Sequence, residues 1–221
     1  MPQLEAIYRS SARRAFAAVW LFRAAAAVAV PYIAAAFWRL SQSDELYDSV
    51  VVARKGLVLS EAALGLMALV TVAVRLGALI AFVAWLYQVT KNLSALGVAD
   101  AGVTPGWAVG CWFVPFVNII APCIVVLRVW RASDPESAPG SAQGWPLLYA
   151  WWGAFLALSA AGFAVWFARA PGGPPELLTR TQVWAYLCSA IATIVMALLA
   201  VRVVREIERR QTEKSQLQAF A

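Results

Sequence analysis

Long apolar runs separated by short polar intervals dominate the chain. Residues 15–38, 61–90, 145–167 and 181–204 are each predominantly apolar. A bilayer crossing takes about 20 such residues in a helix, so each run predicts a transmembrane span. A further apolar stretch, residues 105–131, carries Pro105, Pro115 and Pro122, with Asn118 between the last two. An interior proline removes a backbone donor and clashes with the carbonyl one turn back. Backbone groups freed in hydrocarbon survive only where protein packs around them or where they line a cavity. The pattern predicts an all-α integral membrane protein, with four transmembrane helices plus a Pro/Asn-broken segment that is re-entrant or forms a fifth span. A kinked transmembrane helix without further role is the plainer reading of the same stretch.

The intervals predict connections. Residues 39–60 mix Asp44, Glu45 and Asp48 with Arg39, Arg54 and Lys55, and their apolar pieces suggest a short interfacial helix. Residues 133–144 and 168–180 are rich in turn formers. Residues 205–221 continue the last span as a charged helix, expected to be solvated at the cytoplasmic face, with ion pairs between neighbouring turns; a specific docking helix is the alternative. Residues 1–221 therefore read as a single multi-pass membrane domain.

Composition agrees with this. The chain is 62% hydrophobic and 14% charged, against about 25% charged in soluble domains. Its net charge of +6 sits at the ends of apolar runs, where cytoplasmic loops and lipid headgroups explain it without nucleic acid. There is no histidine, which excludes His-ligated haem, His-containing zinc sites and His-based acid–base catalysis. Cys111, Cys123 and Cys188 lie inside apolar runs and read as small hydrophobes. Tryptophan favours membrane interfaces, which makes Trp20, Trp38, Trp85, Trp151, Trp166 and Trp184 candidate interface anchors. Trp20 and Trp38 stand about 27 Å apart along a helix, near one hydrocarbon thickness.

Charge also orients the chain. With four spans, Arg9, Arg13, Arg14, Lys91, Arg128, Arg131 and the basic residues between 202 and 214 all fall on the cytoplasmic side. A five-span layout puts Arg13 and Arg14 on the wrong side of the first helix, which usually sets orientation. The expectation is a bacterial cytoplasmic membrane protein with both termini inside and a re-entrant fifth segment.

Candidate chemistry is sparse. Arg75 lies in the middle of the second span with no carboxylate inside any apolar run. A charge at that depth usually faces a bundle interior or water. Its candidate partners are the loosened carbonyls or the Asn118 amide of the broken segment, or an anion; snorkelling to the outer surface is the simpler alternative. Gly106 and Gly110 follow Gly102 at four-residue spacing, a pattern that lets helices touch. Together with Pro115, Asn118 and Pro122 they make a candidate ligand or packing site. No Walker loop, GxSxG elbow or HExxH helix is present, so no enzyme, metal or cofactor is expected. The expected role is a non-enzymatic membrane binding or assembly protein that packs with lipid or partner membrane proteins through the broken segment. Anionic lipids, a homo-oligomer or a membrane-protein complex are its candidate partners. The alternative is a small transporter or channel for a small or anionic solute.

The middle of the chain resembles a known family. Phe82-Val83-Ala84-Trp85-Leu86-Tyr87, Asn92-Leu93, Ala95-Leu96-Gly97, Pro105 to Gly110, Trp112 to Pro115, Asn118, Pro122 and Val129 to Ser133 are similar to the signature of domain-of-unknown-function family 4328. Members usually carry basic residues where this chain has Gln88-Val89-Thr90. They also carry a polar or basic residue before the last proline, where this chain has Ile119-Ile120-Ala121. The resemblance implies a multi-pass bacterial membrane protein and no particular activity.

Overall fold

A computed structural model describes residues 8–41, 50–98, 100–135, 145–167 and 180–220, with the backbone alone within 39–62, at 64 and within 165–182. These residues form α1 (Ala12–Ser41), α2 (Val50–Ala95), α3 (Pro105–Gly110), α4 (Ala121–Ala132), α5 (Trp145–Phe167) and α6 (Arg180–Ala219). A 3-10 turn, Val117–Ile119, joins α3 to α4. There is no strand among the described residues.

Four helices are long and apolar enough to cross a membrane: Ala12–Trp38, Gly65–Ala95, Trp145–Ala164 and Val183–Ala219. Their outward faces carry large apolar side chains, among them Leu69, Ile80 and Phe163, each about two-thirds exposed. A helix apolar on its outer face as well as its inner one is suited to lipid rather than water. Both observations are consistent with an integral membrane protein.

Helix bounds differ from the hydrophobic runs where polar residues are good helix formers. The first helix runs through Pro31 without ending. The second starts at Val50, inside the stretch expected to be a loop with a short helix. Residues 50–60 contain no proline, and a continuous helix keeps their backbone groups bonded. The last helix has no boundary near 204 and continues through its Arg-, Glu- and Gln-rich tail to Ala219.

The chain divides into two compact units, and each long helix contributes residues to both. One unit comprises Arg23–Leu76 and Gly153–Leu198. Its core is made of small residues and tyrosines: Ala29, Tyr32 and Ala190 in one cluster, Ala36, Val183 and Leu187 in another. Alanines let the α1 and α6 backbones approach closely, and the Tyr32 and Tyr186 rings meet edge to face at 5.8 Å.

The other unit comprises Met1–Phe22, Gly77–Trp152 and Leu199–Ala221, and it contains the broken segment. Its interior is built from large rings and β-branched residues, with Phe82, Trp85, Val126, Val129, Trp130, Val203 and Ile207 all essentially inaccessible.

Candidate functional site

The prolines of the broken segment start helices rather than interrupt one. Pro105 opens α3 behind Thr104, whose hydroxyl accepts the Trp107 backbone N–H at 3.2 Å. Pro122 stands in the first turn of α4. Both occupy positions where a missing N–H costs nothing, because that group has no intrahelical partner anyway.

Pro115 sits between them, at the tip. The Val117 N–H donates to the Pro115 carbonyl at 2.7 Å, and Phe116 between them has φ 63° and ψ −40°. This is the strained, positive-φ form of the γ-turn. Phe116 is the only non-glycine at positive φ among the described residues.

The segment closes on itself at its base. Gly102 has φ 65°, and its carbonyl accepts a hydrogen bond from the Arg128 guanidinium of α4. The Asp100 carboxylate accepts the Gly102 N–H at 2.6 Å. A Cβ on Gly102 would lie 3.4 Å from the flexible Arg128 guanidinium, an ordinary contact, so it is the backbone conformation that favours glycine here. The result is a helical hairpin.

Aromatic side chains hold the hairpin in its unit. Trp112, just after α3, packs against Phe82 of α2 at 5.6 Å and against Trp152 of α5 at 6.1 Å. Phe82 also contacts Trp85 and Trp151, at 5.3 and 5.7 Å. The Trp152 indole N–H donates to the Ile119 carbonyl at 3.1 Å, one of the backbone acceptors that the break leaves free. Trp152 lies about 10 Å along α5 from Trp145, at 1.5 Å per residue. Phe82 lies about 20 Å from the end of α2 by the same measure.

Polar side chains stitch the base of the same unit. Glu208 of α6 accepts the Trp85 indole N–H at 2.7 Å and the Ser11 hydroxyl at 2.5 Å. Gln211 is fully buried and donates to the Val89 carbonyl (2.9 Å) and the Ser133 hydroxyl (3.1 Å). Arg210 pairs with Asp134, and Lys214 donates to the Ala132 carbonyl at 3.0 Å. Asn92 exchanges hydrogen bonds with Arg9 and accepts from Gln88. The tail of α6 is therefore docked along one face, not solvated all round as the sequence suggested. Ile207 and Gln211 carry the four-residue spacing of Val203 past the expected end of the span, and that periodicity is the signal that marks a buried face.

Several sequence candidates are placed otherwise than expected. A Cβ at Gly106 or Gly110 would meet nothing within 4 Å among the described residues, so neither glycine faces a close neighbour there. The Asn118 side chain is half-buried and makes no hydrogen bond among the described residues; only its backbone N–H is bonded, to Val114. Pro115 is exposed and Pro122 is buried. Trp20, Trp38 and Trp184 are each more than half exposed. Trp85 and Trp151, at 0% and 2% exposure, are instead interior residues. The Trp166 side chain lies outside the described residues.

Arg75 belongs to the other unit. Its guanidinium donates to the Ser189 carbonyl and hydroxyl, at 3.3 and 3.4 Å, and to the Thr193 hydroxyl. Its partners are thus oxygens of α6, not the broken segment. All are neutral, and the Nε–H has no acceptor among the described residues. No group of three His, Cys, Asp or Glu side chains able to hold a metal occurs among the described residues.

Residues 48–209 match the family described as Domain of unknown function (DUF4328), and the chain belongs to that family. No curated protein and no solved structure is matched.

Proposed function

We propose that this family member is a non-enzymatic membrane binding and assembly protein that packs with lipid or partner membrane proteins through the α3–α4 hairpin. In this reading the hairpin is re-entrant, entering and leaving the bilayer on the cytoplasmic side of a bacterial inner membrane, where both termini also lie. The observation that carries the reading is the tip. Phe116 is 86% exposed at a backbone conformation that costs a bulky residue about 1–3 kcal/mol. A ring so exposed gains little inside the chain to offset that cost, whereas contact with something outside does. Phe113 and Ile120 flank it, also more than 60% exposed. The closed base at Gly102 and Arg128, and a tip that reaches only part of the way along α5, support re-entrance over a crossing.

A second reading, a small channel or transporter for a small or anionic solute, draws on Arg75. Its charge has only neutral acceptors among the described residues, a setting that attracts an anion. The two readings differ at the tip. Single Phe113→Cys, Phe116→Cys and Ile120→Cys variants in a Cys-free chain are to be treated in membranes with a water-soluble thiol reagent. Packing against lipid or protein predicts no labelling at any of the three. Labelling that a lipid-soluble reagent does not outpace would make the tip part of an aqueous path and sink the assembly reading.

A further inference from the structure

A cleft of about 480 Å³ opens where α4 ends, α5 begins and the apolar part of α6 gives way to its tail. Trp130 and Leu147 form its apolar side, and α6 supplies its charges between Arg202 and Arg210. Those charges are of two kinds. Arg209 is held by Glu206 and Glu213, both at 2.6 Å. Arg210 is held by Glu206 at 2.9 Å and Asp134 at 3.2 Å, with its guanidinium 4.4 Å from the centre of the Trp130 ring. Arg202 and Arg205 are exposed, and neither has an acceptor among the described residues.

Arg202 and Arg205 stand three residues apart, so their side chains share a helix face and their like charges repel. Glu206, which also lines the cleft, is already engaged by Arg209 and Arg210, and neither Arg202 nor Arg205 makes an ion pair among the described residues. A phosphate relieves the repulsion, because its oxygens accept from two guanidinium forks at once. The apolar wall of Trp130 and Leu147 alongside is of no use to a free phosphate ion. It suits a molecule with a phosphate at one end and hydrocarbon at the other. Arg202 is also the first charged residue after the apolar run of α6, which sets the cleft at headgroup level in a bilayer.

We infer that this cleft binds one anionic phospholipid, with Arg202 and Arg205 taking the headgroup phosphate and Leu147, backed by the buried Trp130, lying along the start of its acyl chains. The site is separate from the hairpin tip and stands whether or not the tip acts in assembly.

The test uses the full chain in a neutral detergent with phosphatidylglycerol, phosphatidylcholine or inorganic phosphate added. Phosphatidylglycerol is expected to raise the melting temperature by roughly 5 °C more than phosphatidylcholine does, the size of shift that a ligand well above its Kd produces. An Arg202→Gln/Arg205→Gln variant should lose that increment while melting as wild type does in phosphatidylcholine. Lys91→Gln, which removes an exposed charge outside the cleft, should keep it. The proposal is overturned if the double variant keeps the increment, if Lys91→Gln loses it equally, or if inorganic phosphate alone reproduces it. A measurement on the wild-type chain covers a double variant that does not fold. A photoactivatable anionic phospholipid should cross-link to the peptides holding Trp130 and Leu147, and adducts confined to other peptides would equally overturn the assignment.

Discussion

The two compact units solve the problem of polar groups in an apolar chain in different ways. In the unit that contains the hairpin, polar side chains bond to one another across long sequence distances. Ser11, Trp85 and Glu208 meet, as do Val89, Ser133 and Gln211. In the other unit the Arg75 guanidinium rests on the Ser189 and Thr193 hydroxyls and the Ser189 carbonyl, all on one helix. Thr193 already donates its own hydroxyl to the Ser189 carbonyl at 2.7 Å. The first arrangement ties separate elements into one structure, so that removing a member leaves others unsatisfied. The second adds a charge to helices that small residues already hold together. Polar content alone says little about stability; what matters is which groups lose their only partner.

The largest effect is expected at Trp85, where packing and the indole bond to Glu208 coincide. Trp85→Ala should cost about 3–5 kcal/mol, as for other fully buried aromatic truncations. Trp85→Phe keeps most of the packing and leaves the Glu208 carboxylate only the Ser11 hydroxyl, so about 1–3 kcal/mol is expected. Thermal unfolding in detergent measures both, and a Trp85→Phe variant as stable as wild type would remove the bond to Glu208 from the account.

Arg75 should behave in the opposite way. Arg75→Met removes a half-buried charge and leaves Thr193 its own bond, with only the Ser189 hydroxyl losing a partner, so a change within about 1 kcal/mol, of either sign, is expected. A loss as large as that of Trp85→Ala would erase the contrast between the units. Arg75→Gln sharpens the comparison further. If an anion sits there, raising chloride stabilises the wild type and not the variant, and stabilisation of both alike removes the anion.

The smallest effect is expected at Asn118. Its amide bonds to nothing described, so Asn118→Ala should shift the melting temperature by no more than about 1–2 °C, the range of ordinary surface changes. A large drop would mean that the amide holds the turn after all.

Much of the architecture is written in the hydrophobic pattern. The long runs at 15–38, 61–90, 145–167 and 181–204 lie in the four long helices, and the stretch with Pro105, Pro115 and Pro122 is the one that folds differently. The fates of individual residues are less legible, for physical reasons. Proline excludes itself from a helix interior but is equally at home in a first turn. The same three residues therefore suit a broken span or two new helices, and only the Thr104 cap and the Gly102–Arg128 contact distinguish them. Tryptophan marks an interface only on average. Trp85 lies one turn from Phe82 and from Val89, an inward-facing stripe, and the ring goes with its helix face. Asn118 draws attention because amides are rare in apolar runs, yet rarity carries no information about geometry. The docked tail was open to reading, since the apolar spacing through Val203 and Ile207 continues past the first arginines. Charge content obscures that spacing.

The central claim is that residues 105–131 turn back rather than cross. Single cysteines at Ser94 and Ser141, placed in a Cys-free chain and probed in intact cells with a membrane-impermeant thiol reagent, test it most directly. The hairpin requires both positions to be protected from outside and both to label once the inner face is opened. Labelling of one from outside and of the other only from inside would make the segment a fifth span, and the hairpin would have to be abandoned.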